Sequence, residues 1–190
     1  MLLHNCYITT ENQVRKNKMP RAIDFRKISN FTNNDIDNSG KYIGKNNYWK
    51  LYSVENMFRV IIHSILSVQI SSNWWDTATD ESIRNKAKRY KERYSTRPWH
   101  TNQGSHDIYY IDLFDLEEIM RVNLHLFDVI IEDADDWIVK IEGVRLPRNL
   151  IAHMNFLNNN DSNRIDVLYN DTTNLFKYIQ KNSNLSLQIP

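Results

Sequence analysis

The sequence predicts an all-α fold, and three observations carry that expectation. Only four glycines and four prolines occur in 190 residues, too few turn residues for a sandwich, a barrel or a Gly-rich nucleotide-binding fold. Apolar residues recur at spacings of three and four in several segments, the period of a helix with one buried side. No segment alternates strictly between apolar and polar, as a half-buried strand would. With 41% hydrophobic and 12% aromatic residues the chain can build a real core, which argues against wholesale disorder.

Residues 1–46 read as an irregular, Asn-rich segment containing Pro20, Gly40 and Gly44, with a short helix near Arg21 to Ile28. A helical domain then spans 47–160. Its first strong element starts at Tyr48, where Leu51, Val54, Met57, Phe58, Ile61, Ile62, Ile65 and Leu66 define a broad apolar face. Glu55, Arg59 and His63 form a polar stripe at i, i+4, i+8 along one side of it. Thr79 or Asp80 is placed to cap a very polar second helix that ends before Pro98. After a loop over about 101–110, Asp112 precedes one long helix carrying Leu113, Leu116, Ile119, Met120, Leu124, Phe127, Ile130 and Ile131. A shorter helix covers Asp135 to Ile141 and stops near Gly143. Pro147 suits the first turn of the next helix, RNLIAHMNFL, because it loses no intrahelical bond there. Residues 161–190 form a last helix, about Asn163 to Asn182, packed on the bundle through Ile165, Leu168, Leu175, Phe176 and Ile179, with a short tail.

Charge nearly cancels: 24 Lys and Arg against 23 Asp and Glu leave +1. That excludes a polybasic protein whose affinity for phosphate comes from bulk charge, while a local basic face remains compatible with it. The single cysteine, Cys6, excludes a disulfide framework and a multi-thiolate metal site and fits a reducing compartment. No run approaches the ~20 apolar residues of a membrane span; the best, Val60 to Ile70, is broken by His63, Ser64, Ser67 and Gln69. The start, MLLHNCYITT, has no basic region ahead of a long apolar stretch, so no secretory signal is read and the cytoplasm is the expected location.

There is no nucleophile elbow, phosphate loop or His-x3-His spacing. His100 and His106 share a loop without a helical partner, so neither a metal nor a cofactor is expected. The chemistry points instead to LPRNLIAH, where Arg148 is followed by Asn149 and, five residues on, by His153. An imidazole with an ordinary pKa of about 6.5 can take or give a proton at physiological pH. A guanidinium beside it can grip a phosphate and stabilise charge building on its oxygens. That pair suffices for metal-free cleavage of RNA, while the residues by themselves read equally as a helix histidine bonded to a neighbour. The segment Ile83 to Trp99 adds Arg84, Lys86, Lys88, Arg89, Lys91, Arg93 and Arg97, interleaved with Tyr90, Tyr94 and Trp99. It reads either as a solvated helix face or as a single-stranded RNA contact centred on Lys88, Arg89, Arg93 and Tyr94. The acidic cluster Asp128, Glu132, Asp133, Asp135 and Asp136 reads as a solvated face or a dock for a basic partner.

LPRNLIAH resembles the Arg-x4–6-His signature of the HEPN superfamily, in which a polar residue, often Asn, follows the arginine. The resemblance extends over roughly residues 48–160. YSVENMFRVIIHSIL, with Glu55, Phe58 and Arg59, is similar to the first long helix of the HEPN branch named after a nuclear mRNA quality-control endonuclease. Trp74–Trp75, YYIDLFDLEEIM and Phe127 resemble that branch's following elements, in order. The resemblance implies a helical bundle that pairs as a homodimer, with two Arg-x4-His motifs facing a shared cleft. Arg148 and His153 would be catalytic, Asn149 would orient them, and Glu55, Arg59 and His63 would line the cleft and hold Arg148. It also implies a metal-independent endoribonuclease of toxin–antitoxin, phage-defence or RNA-surveillance type, acting on RNA and governed by an antitoxin or sensor protein. Some relatives keep the fold without catalysis, so a non-catalytic subunit that binds RNA or a nucleotide, or scaffolds a defence complex, is the alternative. In HEPN toxins silenced by a nucleotidyltransferase, a tyrosine stands two residues after the histidine. This chain has Asn155 there, which puts that route of control in doubt.

Overall fold

A computed structural model describes residues 23–190; Cys6, the MLLHNCYITT start and the first residues of the helix expected near Arg21 lie outside the described residues. Among the described residues every regular element is helical, as the periodicity predicts. None of those helices is long and apolar enough to cross a membrane.

The first departure from expectation lies before residue 46. A 3-10 turn, Phe25–Lys27, is followed by α1 (Asn33–Ile43), a π turn (Gly44–Tyr48) and α2 (Trp49–Gln69) without a break. The helix thus begins some way upstream of Tyr48, and the boundary expected at residue 46 falls inside the π turn. The Asp35 carboxylate starts α1, accepting from the backbone N–H and hydroxyl of Thr32, both at 2.8 Å. Capping replaces periodicity here, because α1 is mostly polar and buries only Ser39.

The core is organised around α2, whose Val54, Phe58, Ile61, Ile62, Ile65 and Leu66 are fully buried. Complete burial of each such side chain stabilises by about 1.5–3 kcal/mol relative to exposure. The last helix, α9 (Asn159–Asn182), lies along α2 and buries Ile165, Leu168, Leu175 and Ile179. Between them come α3 (Trp74–Ala78), α4 (Glu81–Ser95), a 3-10 turn (Asp107–Tyr110), α5 (Leu113–Val122), α6 (Leu124–Phe127), α7 (Ala134–Glu142) and α8 (Arg145–Ala152).

The second departure is the long helix expected from Leu113, which breaks at Asn123. The Asn123 amide donates to the carbonyls of Ala78 and Ile119, each at 2.8 Å, and thereby fixes the turn between α5 and α6. A short amide that competes with the backbone is a helix-stopping device that apolar spacing does not reveal. Arg121, near the end of α5, pairs with Glu117 and Glu118. Asp128, Glu132, Asp133, Asp135 and Asp136 are exposed. Among the described residues no group of His, Cys, Asp or Glu is arranged to hold a metal ion.

Candidate active-site cleft

α8 is shorter than the ten-residue RNLIAHMNFL predicted, and its ending decides where His153 sits. Helical geometry stops at Ala152, and His153 is the C-cap. Met154 then takes the left-handed conformation with φ 57°. Its N–H donates to the Ile151 carbonyl at 2.9 Å, while the Asn155 N–H reaches the Leu150 carbonyl at 2.8 Å. This pair of bonds closes a Schellman ending, normally built on glycine. Asn155 reinforces it: its amide donates to the His153 carbonyl at 3.0 Å and its Oδ1 accepts from Arg26 at 3.1 Å. The His153 imidazole is left exposed on a well-fixed backbone.

Beside α8 lies a cleft of about 640 Å³. Tyr52, Glu55, Asn56 and Arg59 of α2 form one wall, Asn102 and Tyr109 a second, and Arg148 of α8 the third. Glu55, Arg59 and Arg148 line this one cleft, but the α2 stripe does not hold Arg148, whose carboxylate neighbour is Asp112. Arg59 is buried and uses four of its five N–H donors. It donates to the carbonyls of Ile108 (3.2 Å) and Ile111 (2.8 Å), to Asn56 Oδ1 (3.1 Å) and to the Glu55 carboxylate.

Arg148 is held more loosely. Its side chain is 26% exposed, and Asp112 stands at 4.0 Å, the outer limit of an ion pair. The Phe114 ring lies 5.7 Å below the guanidinium. Asp112 also caps α5 by accepting from the N–H groups of Phe114 and Asp115. Burial alone would raise its carboxyl pKa, but the Lys86 ammonium at 3.0 Å and the Arg148 charge outweigh burial and hold it below the usual carboxylate value. Asp112 consequently stays anionic and orients Arg148 without saturating it.

Three predicted site residues fall elsewhere. His153 is not part of the cleft wall, and Asn149, half-buried, makes no side-chain hydrogen bond among the described residues. His63, expected beside Glu55 and Arg59, turns away from the cleft. Its Nδ1 accepts from the Trp74 indole at 3.2 Å, and its ring meets that of His106 at 4.9 Å. Burial lowers the His63 pKa. His106 is pushed down to about 4 by burial first and by the charge of His63 second. The α2 stripe splits by its partners: Arg59 bonds the carbonyls of Ile108 and Ile111, whereas His63 meets Trp74 and His106.

α4 also divides. Lys86 is neutralised by Asp112 and Asp115, and Lys91 by Asp107 at 2.6 Å. Lys88, Arg89 and Arg93 are exposed, whereas Tyr94 is half-buried against the core. Arg93 and Tyr94 join Tyr90, Arg97 and His100 around a small pocket of about 270 Å³. A larger depression, about 840 Å³, between α7, α8 and α9 holds none of the predicted residues.

No family model, no curated protein and no solved structure matches this chain. The site is therefore read from its own geometry. Sequence reasoning missed Asp112 as the partner of Arg148, treating it only as a helix start, and missed Asn102 and Tyr109 as a wall. The sequence also offers Arg93 and His100 as a second, looser Arg-x6-His spacing, set aside as a loop because it spans Pro98. Two successive turns beyond α4, closed by Arg97 N–H to the Tyr94 carbonyl and His100 N–H to the Arg97 carbonyl, bring His100 back to Arg93.

Proposed function

We propose that the chain is a HEPN-like, metal-independent endoribonuclease that acts as a homodimer. The observation that carries this reading is Arg148: a loosely held guanidinium in a cleft whose other arginine is tied into the wall, on the short helix that the exposed His153 caps. Five residues along a helix amount to about 7.5 Å of rise and about 140° of turn, so the reading relies on the pairing of two chains to bring an imidazole to a phosphate held by Arg148.

In the proposed reaction His153 takes the proton of a ribose 2′-hydroxyl, whose oxygen attacks the adjacent phosphorus. Arg148 stabilises the added negative charge on the phosphoryl oxygens. The bond to the 5′-oxygen breaks, and that oxygen receives a proton from a second group. The products are a 2′,3′-cyclic phosphate and a 5′-hydroxyl. Acid–base cleavage uses two proton-transfer groups, and the cleft of one chain contains no histidine. A two-fold pair of chains supplies the second imidazole and brings both exposed His153 side chains to a shared site. Lys88, Arg89, Arg93 and Tyr94 serve as the RNA contact, and a toxin or phage-defence role under an antitoxin or sensor protein is the biological setting this reading favours.

A second reading is a non-catalytic subunit that binds RNA or a nucleotide, or scaffolds a defence complex. The position of His153 outside the cleft wall of its own chain favours it. Cleavage of a mixed RNA by purified protein in EDTA separates the two. The expected result is cutting that leaves cyclic phosphate ends and loses ~10²–10⁴-fold in rate in His153→Ala, with specific activity falling on dilution as the dimer dissociates. Activity that survives His153→Ala, or that requires Mg²⁺, overturns the mechanism. Binding without cutting supports the second reading.

A further inference from the structure

We propose that Tyr90, Arg93, Tyr94, Arg97 and His100 form a subsite for one nucleotide of single-stranded RNA, with its phosphate on the two guanidinium groups and its base on the tyrosine rings. The inference deepens the ribonuclease reading and rests on it for the identity of the polymer.

Comparison along α4 isolates this pocket. The Arg84 guanidinium donates to the carbonyls of Asp76 and Thr79. Lys86 and Lys91 are neutralised by carboxylates. Lys88, Arg89, Arg93 and Arg97 form no ion pair among the described residues; of these Arg93 and Arg97 border a pocket, and no acidic side chain lines it. The Arg93 guanidinium lies over the Tyr90 ring at 5.2 Å. Stacking of this kind fixes the planar group while leaving its N–H edge for a phosphate. Trp99, 77% exposed, sits next to His100 with ring centres 6.2 Å apart. The helix dipole accounts for a cation in the last turn of α4, but not for a second guanidinium beyond the cap or for the exposed rings.

Size and position narrow the ligand. At about 270 Å³ the pocket has room for one nucleotide unit. Duplex RNA is gripped through its backbone across grooves, whereas an unstacked base needs a small aromatic recess. The loop beyond α4 is a common wall: His100 borders this pocket, and Thr101, Asn102 and Gln103 border the cleft with Arg148. Its course is fixed by the Tyr110 hydroxyl, whose single proton is shared between Asn102 Oδ1 at 2.8 Å and the Gly104 carbonyl at 3.0 Å. A strand lying along the loop places one nucleotide in the subsite and a phosphate farther along in the cleft.

The test uses the full chain, a short fluorescein-labelled single-stranded RNA followed by anisotropy at several salt concentrations, and adenosine 5′-monophosphate followed by NMR. The double variant Arg93→Gln/Arg97→Gln should bind the RNA about tenfold more weakly. Its salt slope should be shallower by about 0.7, one phosphate contact. The nucleotide should shift Tyr90 and His100 resonances in the wild type but not in the double variant, and Arg164→Gln on α9 should alter none of these readings. Wild-type protein that cuts RNA while the double variant binds it unchanged overturns the subsite and leaves the ribonuclease reading standing. Protein that does not cut RNA, yet loses binding and the nucleotide response in the double variant, supports the subsite and overturns the ribonuclease reading. Absence of both RNA binding and a nucleotide response in the wild type overturns both.

Discussion

Arg59 and Arg148 face one cleft from α2 and α8, yet their surroundings differ in kind. Arg59 is 9% exposed and bonded to one carboxylate, one amide and two backbone carbonyls. Those carbonyls, of Ile108 and Ile111, belong to the segment that walls the cleft, so Arg59 ties that segment to α2. Arg148 has a single carboxylate at 4.0 Å and an aromatic ring beneath it. The contrast teaches that positive charge in a cleft is not the same as positive charge available to a ligand. One guanidinium makes the wall and the other is free to meet what enters.

Removing the wall-maker should have the largest effect on stability. Arg59→Ala leaves two buried carbonyls and Glu55 without a donor, and breaking such a buried network costs about 3–5 kcal/mol, read as a lower urea midpoint. A milder attack on the same wall is Gly104→Ala. Gly104 has φ 147°, and a Cβ there would overlap the Tyr109 ring that lines the cleft. Strain of this kind costs about 1–3 kcal/mol, and the same unfolding measurement should show it.

The split of the α2 stripe can be sharpened with pH. His63 and His106 are held neutral in the fold, with pKa values below the ordinary 6.5 and, for His106, about 4. The unfolded chain therefore takes up these protons first as pH falls. Their contribution to stability is complete above about 6.5 and declines from there toward about 4. Buried Glu117 has a raised pKa, acts with the opposite sign, and is common to both proteins in the comparison. The drop in melting temperature between about pH 7 and pH 5 should thus shrink in His106→Gln. An unchanged drop would show that the His63–His106 contact does not hold these rings neutral. The smallest effect belongs to the seat of His153. Met154 is 91% exposed with φ 57°, so Met154→Gly should raise stability by about 0.5–1 kcal/mol.

The elements that apolar spacing and capping chemistry specify were legible in the sequence. The face of α2 from Val54 to Leu66, the Asp112 start of α5 and the Pro147 first turn of α8 all stand where local rules put them. What escaped depended on partners far along the chain or on polar side chains. α1 is set by a Thr32–Asp35 cap on a polar helix, and the α5–α6 break by an Asn123 amide bonded to Ala78. His63 was misplaced because His106, which meets its ring, is 43 residues away. Of the candidate site, Glu55, Arg59 and Arg148 were legible as a set because a helical stripe and a short motif encode them. The difference between Arg59 and Arg148 was not, since it arises from the carbonyls of Ile108 and Ile111 and from the reach of Asp112.

That difference is tested most directly by single-turnover RNA cleavage in Arg148→Ala, measured beside its thermal midpoint. The account predicts a rate loss of ~10²–10³-fold, the usual weight of a charge-stabilising donor, with the midpoint close to wild type and partial recovery in Arg148→Lys. Cleavage at the wild-type rate, or a fall in midpoint as large as that of Arg59→Ala, would contradict it.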